Sequence, residues 1–68
     1  GPKEIGSLAE LTPKAESTLV GAARAMKLSP RGYHRTIKLA RTIADLAGSK
    51  TIEPPHMLEA LQYRAREM

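Results

Sequence analysis

Residues 29–49 read SPRGYHRTIKLARTIADLAGS, and this stretch decides the fold. Ser29 is a good N-cap, because its hydroxyl accepts from an amide one turn ahead. Pro30 suits the first helical position, where its missing N–H would have no partner anyway. Gly48-Ser49 supplies the stop signal. Between these ends, Tyr33, Thr36, Ile37, Leu39, Ala40, Ile43, Ala44, Leu46 and Ala47 fill an arc of roughly 180° at about 100° per residue. Arg31, His34, Arg35, Lys38, Arg41, Thr42 and Asp45 share the other side. The pattern predicts a helix from Pro30 to Ala47. An apolar arc so wide calls for neighbours on two sides, so this helix is expected at the centre of the fold.

The same start signal stands upstream at Thr12-Pro13, with Glu16 in the first turn near the positive helix end. Ala15, Leu19, Ala22, Ala23 and Met26 recur at helical spacing and predict a helix from Pro13 to Lys27. Downstream, Lys50 to Glu53 reads as a short extended link with Ile52 as a plug for the core, and Pro54-Pro55 opens a third helix to Arg66. Its stripe is Met57, Leu58, Leu61 and Ala65, flanked by Ala60. No period-two segment competes. The expected fold class is all-α, a small three-helix bundle. Residues 1–11 read as a lead-in with room for an extra turn at Ser7 to Glu10, and residues 12–68 as the helical domain. Gly1-Pro2 is set aside as a remnant of tag removal.

With 68 residues and 7.4 kDa, the chain accommodates one small domain, which excludes a self-contained ATPase, dehydrogenase or protease. It has no cysteine, so disulfides and thiolate zinc sites are excluded. Ten Ala, no Phe and no Trp indicate a thin core of closely packed helices. A chain of this size buries only about 60% of the surface its unfolded form exposes, so marginal stability and a larger parent protein are expected. No apolar run approaches the roughly 20 residues that span a bilayer, and a soluble, cytoplasmic setting is expected.

The formal charge is +4, but its distribution says more. From Gly21 to Ala44 there is no acidic residue, which suits an anionic partner. Arg31, Arg35 and Lys38, at i, i+4 and i+7, form a basic stripe beside His34 and Arg41. It fits contacts to nucleic-acid phosphates, but an ordinary solvated face is favoured, since Tyr33 lies on the apolar side instead of among the charges. Asp45 is expected to pair with Arg41 at i, i+4. His34 and His56 lie too far apart to start a metal site, and none is expected. His56 reads as a capping or packing residue, and Tyr63 as a candidate surface contact. Arg31 is unusual, being a cation where the helix end is already positive. It either points to solvent or, with the open N–H groups, makes a phosphate receptor.

The succession LSPRGYHR at 28–35, ARTIADLAGS at 40–49 and IEPPHMLEALQYR at 52–64 closely resembles the C-terminal end of magnesium chelatase-like AAA+ proteins of the ComM competence type. The resemblance implies the helical lid, or sensor-2 domain, that follows the ATPase core in a bacterial, ring-forming protein. In lids with a Ser-x-Arg signature, that arginine approaches the nucleotide γ-phosphate, and the matching residues here are Ser29-Pro30-Arg31, with Arg35 as second choice. ATP and Mg2+ would then be cofactors of the parent, which would act in natural transformation and DNA recombination. The Walker motifs lie outside this chain, so no catalysis and no cofactor binding are expected of it alone. Its partner would be the AAA+ core of the same chain or of a neighbouring subunit. The alternative is a small basic DNA-binding module that uses Arg35, Lys38 and Arg41 on phosphates.

Overall fold

A computed structural model describes residues 10–67. Three helices follow in order: α1, Pro13–Met26; α2, Pro30–Leu46; and α3, Pro54–Glu67. The expected turn at Ser7 to Glu10 lies largely outside the described residues.

Each start is set by its cap. The Thr12 hydroxyl accepts the Ala15 N–H at 3.2 Å, and the Ser29 hydroxyl accepts the Gly32 N–H at 3.1 Å. At α3 the histidine completes the cap from the other direction: His56 Nδ1 accepts the Glu53 N–H at 3.0 Å, the reach-back half of a capping box with imidazole in place of a carboxylate.

The first two helices end alike. After α1, Leu28 N–H donates to Ala23 O and Lys27 N–H to Arg24 O. After α2, Ser49 N–H donates to Ala44 O and Gly48 N–H to Asp45 O. Both are Schellman closures, which place one residue in the left-handed region. That residue is Gly48 (φ 76°) after α2 but Lys27 (φ 55°) after α1. Helix α1 therefore stops at Met26, one residue short of the expected end, and α2 stops at Leu46 with Ala47 as its cap.

The core consists of Ala15 and Leu19 from α1, Ile37, Ala40 and Ala44 from α2, Ile52 from the connection, and Met57, Ala60 and Leu61 from α3. Ile52 is fully buried, the plug expected of it. Tyr33 packs partly buried against this cluster, as expected. Thr36 is buried too, and its hydroxyl is satisfied by donating to Gly32 O at 2.8 Å.

Three expectations about packing are corrected. Helix α3, not α2, is central: it packs against both other helices. Its inward stripe is Met57, Ala60, Leu61 and the half-buried Arg64, whereas Leu58 and Ala65 are exposed. The small Ala60 is fully buried at this face, while the larger Leu58 is about half exposed on the opposite one. Leu46, expected inward, is 84% exposed. It is the last residue of α2, and the chain turns away at Gly48 before anything covers it.

One pairing is not helical. Leu11 and Ile52 form an isolated parallel bridge, in which Ile52 N–H donates to Glu10 O at 3.0 Å and Thr12 N–H donates to Ile52 O at 3.1 Å.

Candidate functional site

The α1–α2 turn and the first turn of α2 make the most distinctive polar locality. The closure at Lys27 reverses the chain, and Ser29 adopts an extended conformation (φ −71°, ψ 165°) that opens α2. Its carbonyl accepts Tyr33 N–H at 2.8 Å while its hydroxyl caps Gly32. Pro30 has no N–H to offer, so the Arg31 amide is left directed out of the helix end. No acidic residue lies in this first turn. Backbone dipole and side-chain charge therefore have the same sign here, an arrangement suited to an anion.

Arg31 is exposed beside this end, and Arg35 and Lys38 are exposed one and two turns further on. Among the described residues, no carboxylate lies within ion-pair distance of any of the three. Their charge is thus presented to the outside.

The structure adds a second guanidinium that the sequence reading missed. Arg64, from α3, brings Nη2 to 3.1 Å from the point where a Cβ on Gly32 would stand, and the Ser29 hydroxyl lies 3.5 Å from that same point. The signal was present in the spacing, since Arg64 follows Met57, Ala60 and Leu61 at i+7, i+4 and i+3. Its charge made it look like a surface residue.

Arg41 is not brought into this group. It is mostly buried and turned to the other end of α2, where it donates to Asp45, as expected, and also to Glu10, Ser49 O and Lys50 O. All five guanidinium N–H groups are engaged within the chain, so the stripe of available cations is Arg31, Arg35 and Lys38. Tyr63, 47% exposed, lies on the outer face of α3 with Leu58, as a surface contact would require. No group of three or more metal-ligating side chains occurs among the described residues. No described helix is long and apolar enough to cross a membrane.

The family described as magnesium chelatase, subunit ChlI C-terminal, matches residues 1–64. The chain belongs to this family. It is 48% identical over 63 residues to the competence protein ComM of Haemophilus influenzae, covering 93% of this chain and 12% of that protein. It is 39% identical over 62 residues to the uncharacterized protein YifB of Escherichia coli K12, covering 91% of this chain and 12% of that protein. The chain thus spans about an eighth of the length of these relatives. No solved structure matches it significantly.

Proposed function

We propose that this chain is the C-terminal helical lid of a magnesium chelatase-like AAA+ ATPase, and that Arg31 is its sensor-2 arginine. The carrying observation is the first turn of α2, which holds the exposed Arg31, an outward amide and the capping Ser29 with no acidic residue present. The γ-phosphate of ATP, bound with Mg2+ by the core of the same chain or a neighbouring subunit, would be the anion. Arg31 would donate to its oxygens through a charge-assisted fork, and loss of that contact on hydrolysis would release the lid. Ser29 holds the turn in shape, and Arg35 stands one helical turn behind as a second donor. The chain itself performs no chemistry, and the hydrolytic groups belong to the absent core. The parent would be a bacterial, cytoplasmic ring ATPase acting in DNA recombination, a reading supported by the similarity to ComM.

The test is Arg31→Ala in the longer protein, with circular dichroism of the 68-residue variant as the folding control. A large fall in ATP turnover with the fold intact is expected. Unchanged turnover would overturn the assignment and move attention to Arg35.

A second reading is favoured by the absence, among the described residues, of ion pairs along Arg31, Arg35 and Lys38, which presents three cations to a phosphodiester backbone. On that reading the isolated chain binds an oligonucleotide weakly, with a log–log salt slope near −0.9 per phosphate contacted, and Lys38→Glu abolishes binding. Binding unaffected by Lys38→Glu would exclude it.

A further inference from the structure

Arg41 donates five side-chain hydrogen bonds, and their arrangement is asymmetric. Nε and Nη2 hold Asp45 Oδ1 at 3.0 and 2.6 Å, Nη2 also donates to Ser49 O at 2.8 Å, and Nη1 donates to Lys50 O at 3.0 Å. These four bonds all lie within residues 41–50 and brace the exit of α2. The fifth, from Nη1 to Glu10 Oε1 at 2.7 Å, reaches back 31 positions.

Next to it, the α2–α3 connection offers Ile52 as a backbone donor and acceptor. Its N–H goes to Glu10 O, and its carbonyl accepts both the Thr12 N–H at 3.1 Å and the Thr12 hydroxyl at 3.3 Å. The Ile52 side chain is fully buried, so this side of the contact is anchored in the core. Among the described residues, the other side is not. The Glu10 side chain is 51% exposed, and Leu11 is only partly buried against the core. One side is a braced socket and the other a short strand resting in it.

Partly exposed ion pairs contribute little, and segments with few buried contacts open before the helices around them. We infer that residues 10–12 and the Arg41–Ile52 socket form a detachable latch. Closed, it ties the segment leading into α1 to the exit of α2. Open, it frees Glu10 and Leu11 while the three helices stay folded, because the Arg41 brace on Asp45, Ser49 and Lys50 does not involve Glu10 and Thr12 keeps its cap on the Ala15 N–H. The latch lies at the end of α2 opposite Arg31, about 15 Å away along the helix axis, and its opening needs no change at the Arg31 end.

Hydrogen exchange of the 68-residue chain, followed amide by amide by NMR, tests the latch without nucleotide. It therefore reads the same whether or not Arg31 is a sensor. Thr12 and Ile52 amides report the latch, and Ala40, Ala44 and Leu61 amides report the helices. Glu10→Gln, and separately 1 M salt on the unaltered chain, should each speed exchange at Thr12 and Ile52 roughly two- to fivefold, leaving the helical amides unchanged. Unaltered exchange at Thr12 and Ile52 under both conditions would overturn the proposal. So would equal acceleration at all five amides, since the strand would then open only with the whole bundle.

Discussion

Arg64 Nη2 stands 3.1 Å from the point where a Cβ on Gly32 would be, so the guanidinium of α3 lies across the first turn of α2. That distance is tighter than ordinary van der Waals contact. Glycine at this position makes room for the arginine. Replacing glycine by alanine inside a helix ordinarily gains up to about 1 kcal/mol. Here the gain competes with displacement of Arg64. Gly32→Ala should therefore stabilise the chain less than that, or destabilise it, while the same change in an Arg64→Ala background should recover the full gain. Urea unfolding of the four chains in the cycle measures the coupling, and equal effects in both backgrounds would show that the contact carries no energy.

Lys27 and Gly48 occupy equivalent places in two Schellman closures, but only one is glycine. A side chain in the left-handed region is strained, and glycine relieves the strain at some entropic cost in the unfolded chain. Lys27→Gly should raise stability by about 0.5–1 kcal/mol, and Gly48→Ala should lower it by a similar amount. The two urea midpoints should move in opposite directions.

Ile52 and Leu46 are aliphatic residues of equal size in opposite environments, one fully buried and the other 84% exposed. Ile52→Ala should cost about 2–5 kcal/mol, a large share of what so small a domain has. Leu46→Ala should stay within about 0.5 kcal/mol. Thermal unfolding followed by circular dichroism separates the two outcomes.

The three caps should rank by the bonds they make. Ser29→Ala and His56→Ala each remove one side-chain bond to a helix-entry amide, and each should cost about 1 kcal/mol. Thr12→Ala also removes the bond to Ile52 O, so its cost should exceed that of Ser29→Ala. A reversed order would mean that the Thr12–Ile52 bond contributes nothing.

The sequence by itself determined the three helices, their starts and the Gly48 stop signal of α2. Those signals are local: a hydroxyl one turn from the amide it caps, a proline whose missing N–H costs nothing, a glycine that enters the left-handed region freely. It also determined that Ile52 is core and that Asp45 pairs with Arg41, a contact within one helical turn. The ends of α1 and α2 were both read one residue too far, at Lys27 where no glycine marks the stop and at Ala47 where Gly48 does, because the last turn is closed by bonds that begin inside the helix. Only the tertiary structure decided which helix is central, that Arg64 turns inward over Gly32, and that Arg41 reaches Glu10 instead of joining the basic stripe. Charge and periodicity place a residue on a face of its own helix. What meets that face, whether water, a carbonyl of a distant loop or a carboxylate 31 positions earlier, depends on how the helices pack against one another, with the small Ala60 fully buried in the core.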